Sequence, residues 1–274
     1  MSFFQGKTYF ISGASRGIGK AIALKLASAG ANIIIAAKSV EAHPKLEGTI
    51  YTAAAEIEQA GGKALPVFCD IREEATIIEA IAAGVARFGR IDGVINNASA
   101  ISLTNTEQTP AKKFDLMHQI NVRGTYLVTQ HCLPYLKQSD AAHILTLSPP
   151  LDMNPKWFKH SVAYTISKFN MTMLAMGWAA EFKEQGIAAN SLWPMTTIAT
   201  AAVNNLLGGV EMIQRSRSPE IMADAVFYIL QQNPAMYTGQ QLLDEGVLKQ
   251  AGITDFDRYA ISPGIALQKD LFLD

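Results

Sequence analysis

The sequence predicts an α/β fold, a parallel sheet with helices on both of its faces. Three observations carry that prediction. Short apolar, β-branched runs alternate with longer stretches of helical spacing along the chain, the pattern of repeated βαβ units. Runs such as Ile33–Ala37 are apolar on consecutive residues, which suits a strand buried on both faces. The first run also leads into a glycine-rich turn, Ser12–Gly19 (SGASRGIG), directly ahead of a helical segment.

Taken in order, the strands are expected at Thr8–Ile11, Asn32–Ala37, Ala64–Cys69, Gly93–Ile95, His143–Leu147, Ala188–Leu192 and Gln241–Leu243. Helical patterns occupy Ile18–Ala29, Thr49–Ala60, Glu74–Phe88, Ala111–Lys137, Val162–Gln185 and Pro219–Gln231. Right-handed crossovers should connect the strands. With no internal repeat and no linker rich in Pro, Gly and Ser, the 274 residues read as a single domain. From about Lys249 an irregular extension is expected to wrap the surface or an oligomer partner.

Composition narrows the class. The chain is 49% hydrophobic with a formal net charge of −1, so no charge excess steers it to nucleic acid or anionic lipid. Cys69 and Cys132 fit no C-x-x-C spacing and read as buried thiols in a reducing compartment. The start, MSFFQGKTYF, lacks the layout of a signal peptide. No apolar run reaches the roughly 18 residues of a membrane span. The ending LFLD matches no retention or peroxisomal address. A cytoplasmic protein is expected.

The glycine turn is the first candidate site. Gly13, Gly17 and Gly19 let the backbone approach a ligand closely, and the helix behind them offers unpaired N–H groups to a pyrophosphate. An ordinary tight turn is the alternative. At the end of the second strand, dinucleotide folds place an acid against a ribose 2′-hydroxyl or a cation against a 2′-phosphate. Here Ala37 offers no carboxylate and Lys38 follows it, with Arg16 and Lys45 as further cations, so NADP(H) is favoured over NAD(H). Asp70, ending the third strand, lies either at the ligand edge or as a helix cap. The paired Asn96–Asn97 can tie neighbouring loops together.

Tyr164 and Lys168, in YTISK, are four apart on a helical segment and share a face. A phenol near its ordinary pKa of about 10 is a poor proton donor or acceptor at neutral pH, and a neighbouring ammonium lowers it. Such a pair can exchange a proton with an alcohol oxygen beside a hydride carrier.

With these motifs assembled (SGASRGIG, the NNAS turn, INVRGTY and YTISK) the chain resembles the short-chain dehydrogenases/reductases over nearly its whole length. The longer stretches AAKSVEAHPKLEGTIYTAA, LSPPLDMNPKWF and YAISPG resemble the reductase domain of the hydroxysteroid dehydrogenase-like proteins. Eukaryotic members of that group often add a sterol-carrier domain, and this chain ends without one. The resemblance implies a Rossmann-type, doubly wound, seven-stranded sheet. It implies that Gly13, Ser15, Arg16, Gly17, Ile18 and Gly19 hold the pyrophosphate side of the cofactor, with Lys38 at the 2′-phosphate. Asp70 and Ile71 should face the adenine, and Asn97, Ala98 and Ser99 the adenosine ribose. Tyr164 should be the acid–base residue, and Lys168 should lower its pKa and bond the nicotinamide ribose. The backbone of Asn121 should hold a water behind Lys168, while Pro194, Thr196 and Thr197 border the nicotinamide.

Three departures stand out. Pro149 takes the place of the family's catalytic serine. Ser148, the remaining candidate, falls one position earlier and therefore points to the other face of the strand, which suits a structural role. Ser99 and Met195 replace glycines common in the family. Met195–Gly209 corresponds to the family's mobile lid. With Met153, Trp157 and Phe158 it suggests an apolar, lipid-, steroid- or acyl-like substrate. The five histidines show no metal spacing, and no metal is expected. The segments Ala111–Lys137 and Val162–Gln185 resemble the family's subunit-pairing helices, so a homodimer or homotetramer is expected. The expected activity is NADP(H)-dependent interconversion of a carbonyl and an alcohol. The alternatives are a catalytically weak NADPH-binding protein and a reductase of an activated C=C bond.

Overall fold

The seven apolar runs all form strands, and the register shows why they are apolar throughout. The computed structural model describes residues 2–44 and 46–274, so Lys45 lies outside the described residues. Strands β1 (Thr8–Ser12), β2 (Asn32–Ala37), β3 (Lys63–Phe68), β4 (Gly93–Asn96), β5 (His143–Leu147), β6 (Ala188–Trp193) and β7 (Gln241–Leu243) join in the order β3-β2-β1-β4-β5-β6-β7. Every pairing is parallel. Alternate residues of each central strand serve two cores. Tyr9, Ile11, Ile33 and Ile35 face one, and Phe10, Ile34 and Ala36 the other.

The first core lies under α1 (Gly17–Ser28), α2 (Ile50–Gln59), α8 (Glu220–Ile229) and α9 (Asp244–Gln250), through residues such as Ile22, Leu26, Ile57, Val226 and Leu248. The second lies under α3 (Glu74–Phe88), α5 (Thr125–Leu136) and α6 (Val162–Glu181), through Ile77, Ile81, Val128 and Trp178. This is the doubly wound arrangement. The strand order reverses between β1 and β4, and the crevice beyond their carboxyl ends is where such sheets bind ligands. Both cysteines belong to the second core, where burial pushes the Cys69 thiol up to about 12 and holds Cys132 above its ordinary value.

Two segments differ from the sequence reading. The long helix expected over 111–137 divides into α4 (Ala111–Met117), a π-helical stretch His118–Gly124, and α5. The wide turn brings Asn121 against the backbone of Ala100, a local re-aiming typical of π-bulges. The segment from 249 onward has as its regular elements the end of α9 and one 3-10 turn, Asp257–Tyr259. It packs on its own chain: Ser218 N–H donates to Tyr259 O at 2.7 Å, and Gln268 exchanges bonds with Arg215 and Thr197 at 2.9 Å each. A short helix, α7 (Gly209–Gln214), follows a second π-helical stretch, Val203–Gly208, which ends the segment 195–209 expected to form the lid.

Candidate active site

The glycine turn is shaped by close approach. Gly13 and Gly17 sit at φ 71° and 55°, where a side chain is strained. A Cβ on Gly19 would lie 2.5 Å from Asn97 Nδ2 and 2.7 Å from Gly13 O. Asn97 braces the turn, its Nδ2 donating to Ser12 O at 2.8 Å and Gly13 O at 3.1 Å. The N–H groups of Asn97 and Ala98 both donate to Ser12 Oγ at 3.1 Å. Asn96 reaches Thr129 Oγ1 instead. The paired asparagines thus tie β4 to β1 and α5, and the Asn97 side chain is spent on the turn rather than turned to a ribose. Helix α1 has Arg16 at its N-cap position and no side-chain cap, so its first N–H groups are not claimed by a capping side chain.

Around the second and third strand ends, the cations behave differently. Lys38 is exposed just past Ala37. Arg16 donates through Nε to Glu47 O at 2.9 Å and through Nη2 to Gly48 O at 2.6 Å, stapling the 39–48 connection to the turn. Asp70 forms a fork with Arg72, whose Nε lies 2.9 and 3.1 Å from its two oxygens and whose Nη2 also pairs with it. That pairing, with Lys38 further off, holds the Asp70 carboxyl below its usual range. Asp70 is therefore not the cap of α3, which starts at Glu73. Ile71 is buried against Gly124.

Asn121 is fully buried with every side-chain group engaged. Its Oδ1 accepts from Ala100 N–H (2.8 Å) and Ser99 Oγ (3.1 Å), and its Nδ2 donates to Ala100 O and Ser167 Oγ, both at 2.9 Å. The Ser99 that departs from the family glycine thus supports Asn121. Ser167 in turn donates to Tyr164 O at 2.8 Å, linking this network to α6.

Tyr164 and Lys168 lie on one face of α6, 4% and 2% exposed. Lys168 Nζ donates to Leu147 O at 2.6 Å and sits 5.0 Å from the Trp193 ring centre. Burial pulls its pKa down to about 7, while the negative charge of Asp270 works in the other direction. The Tyr164 phenol stands above its ordinary range, not below it as Lys168 alone would make it. Burial is the main cause, and the Asp270 carboxylate adds to it. Ser148 is not part of this pair. Fully buried, its Oγ accepts from Thr172 Oγ1 at 2.8 Å. Thr172 lies two turns along α6 from Tyr164, about 12 Å at 1.5 Å per residue.

The comparisons agree with this geometry. Residues 7–208 match the model of the family described as short chain dehydrogenase. The chain belongs to the short-chain dehydrogenase/reductase family. Hydroxysteroid dehydrogenase-like protein 2 of Xenopus tropicalis is 59% identical over 269 residues, and that of Homo sapiens 56%. The match covers 98% of this chain but 64% of each of those proteins. A crystal structure of a putative dehydrogenase from Xanthomonas campestris superposes with a TM-score of 0.96 at 53% identity, covering 99% of both chains. A metagenomic short-chain oxidoreductase solved with NADP superposes at 0.72 with 26% identity over 88% of this chain and 97% of its own.

As in its family, this short-chain dehydrogenase should take a nicotinamide cofactor, and its residues fit one. The glycine cradle leaves no room for a Cβ at Gly19, α1 has no side-chain cap, and Thr196 Oγ1 is buried without a partner beside Pro194. Thr197 is bonded to Ser216 at 2.8 Å. The sequence reading missed several residues here. Thr200 approaches Gly17 and closes the lid's root onto the glycine turn. Asp244, fully buried, accepts from Met195 N–H at 2.9 Å, which clamps the peptide after Pro194. Asp270 N–H donates to Met195 O at 3.2 Å. Phe272 packs over Tyr164 with ring centres 6.1 Å apart. Only the acidic residue heading α9 carried a sequence signal, the first-turn Asp244-Glu245 pair.

Proposed function

We propose that this chain interconverts a carbonyl and an alcohol on an apolar substrate with NADP(H). The observation that carries the reading is the Tyr164–Lys168 pair, buried on one face of α6 and walled by Trp157, Phe158, Phe169 and Trp193. The glycine turn, with the N–H groups of α1 and the hydroxyl of Ser15, holds the cofactor's pyrophosphate, and Arg16, Ile18 and Gly19 keep that turn in shape. Lys38 meets a 2′-phosphate where Ala37 supplies no competing acid. Asp70 and Ile71 border the adenine, Ala98 and Ser99 the ribose, and Pro194, Thr196 and Thr197 the nicotinamide. The nicotinamide supplies or accepts the hydride. Tyr164 gives its phenolic proton to the nascent alkoxide, or takes one from the alcohol. Lys168 bonds the nicotinamide ribose and, once it turns from Leu147 O toward Tyr164, lowers the phenol's pKa. Asn121 acts through its backbone, because its side chain is committed to Ala100 and Ser167.

The NADP-bound relative supports the choice of cofactor. The exposed Tyr126, Met173 and Met176 on α5 and α6 support a homo-oligomer paired through those helices. The test follows NADPH oxidation against a panel of aldehydes and ketones with apolar substituents. Turnover of several of them is expected. No turnover alongside tight NADPH binding would instead favour a cofactor-binding protein, the reading to which Ser148's bond with Thr172 lends weight.

A further inference from the structure

Tyr164 is buried, and one of the rings packed against it comes from a segment that belongs to neither the sheet nor its covering helices. Residues 268–274 run across the site as a strap. Gln268 bonds to Thr197 and Arg215 at 2.9 Å, Lys269 bridges to Thr196, and Trp193 Nε1 donates to Leu271 O at 2.9 Å. The strap therefore hangs from the two stretches that bound the lid, 195–197 and 215–217. It delivers Phe272 into an aromatic box, 5.2 Å from Phe169, 6.0 Å from Trp157, 6.0 Å from Trp193 and 6.1 Å from Tyr164, ring centre to ring centre.

Phe272 itself is held under strain. Among the described residues it is the one non-glycine with positive φ, at 71°. A bulky side chain adopts that conformation only where its surroundings impose it, and such residues concentrate at ligand clamps and switches. Asp270 N–H adds a bond to Met195 O at 3.2 Å, while the end of the strap is held by exposed contacts, an ion pair of Lys156 with Asp274 and a hydrogen bond from Lys269 to the Asp274 backbone oxygen, and exposed pairs hold weakly in water. A strained residue whose segment ends in exposed contacts thus packs beside the one phenol the proposed chemistry needs.

We propose that Phe272 is a self-occupying plug standing where a flat apolar group of the substrate sits, and that substrate displaces residues 268–274 to reach Tyr164. This rests on the oxidoreductase reading above and sharpens it to a class: carbonyl compounds whose reacting carbon carries an aryl or fused-ring group. Such a group replaces Phe272 against Trp157, Phe169 and Trp193 without leaving the box empty. A protein whose competent state is a minority binds more weakly by that fraction, so removing the plug tightens binding.

The test uses the intact chain loaded with NADP+ and 2-acetylnaphthalene as the probe. Amide hydrogen exchange over 269–273 is expected to speed up when the probe binds. Phe272→Gly, which suits the backbone angle, is expected to bind the probe at least about fivefold more tightly by tryptophan quenching. Phe272→Leu, which keeps an apolar side chain, is expected to fall between. Unchanged or stronger protection of the strap with probe bound overturns the proposal, as does no tightening in the variants, or no probe binding to either form. The reductase reading is judged separately. Strap release by the probe without NADPH oxidation on any carbonyl leaves the plug standing and removes the chemistry.

Discussion

Replacing Ser148 by Ala separates a catalytic serine from a structural one. Its hydroxyl touches Thr172, two helical turns from Tyr164, and makes no bond to the Tyr164–Lys168 pair. Thr172 keeps Pro149 O as an acceptor at 2.7 Å, so the substitution strands no buried donor and costs one hydrogen bond, about 1 kcal/mol. For 274 residues, an unfolding entropy near 2.1 cal/mol/K per residue gives about 0.6 kcal/mol/K, and the melting temperature should fall by about 2 °C. The rate should change by less than about threefold, whereas Tyr164→Phe should lose about 100- to 10,000-fold, the usual worth of a general acid or base. The assay is kcat on the best carbonyl from the panel, with thermal melts of both variants. A Ser148→Ala enzyme that melts normally yet loses as much rate as Tyr164→Phe would refute the reasoning, since the hydroxyl would then act on substrate.

Lys38→Ala should weaken NADPH binding by about tenfold, roughly 1.4 kcal/mol, and leave NADH binding nearly unchanged; equal losses measured by fluorescence titration would show that Lys38 does not read the 2′-phosphate. Gly19→Ala should weaken cofactor binding and lower stability by about 1–3 kcal/mol, because its Cβ meets Asn97 Nδ2 and Gly13 O, while Gly246→Ala, with open space around its Cβ, should be neutral. A normal melt and normal binding for Gly19→Ala would show that the cradle is not tight. Asp244 is pushed from 3.8 up to about 6, mainly by burial. Its contribution to stability is therefore complete below the unfolded value and lost as pH rises through about 6. Asp244→Asn should accordingly gain on the wild type between about pH 4 and about pH 8. A gap between their melting temperatures that is constant across that range would show that the charge is not buried.

What was legible in the chain follows from how local each feature is. The seven strands were readable to within about a residue; the five central ones, β1, β2, β4, β5 and β6, are buried along their whole length, so that run and strand are nearly the same object there. The surroundings of Ser148 follow from the same strand geometry. Leu147 faces the first core, so strand alternation turns Ser148 toward α6 and Thr172. The π-helical stretch was not readable, because 111–137 keeps one helical pattern throughout and only the bonds from Asn121 to Ala100, across 21 residues, show why the turn widens.

The two halves of the site differ in the same way. The glycine turn is a property of consecutive backbone units, and its one remote support, Asn97, came paired in the sequence as a visible signal. The substrate half is assembled from β6, the start of α9 and the strap, through Trp193, Asp244 and Phe272, and none of these carries a period or a spacing that points to Tyr164. That asymmetry has a chemical consequence. The proposed proton-transfer pair, Tyr164 and Lys168, lies on consecutive turns of α6, yet the environment of the Tyr164 phenol also depends on a remote residue, Asp270. That carboxylate rides on the strap that also carries Phe272. In the proposed mechanism, displacement of the strap would therefore change two things together: Phe272 leaves the Tyr164 ring, and withdrawal of the Asp270 charge that raises the phenol favours the phenolate.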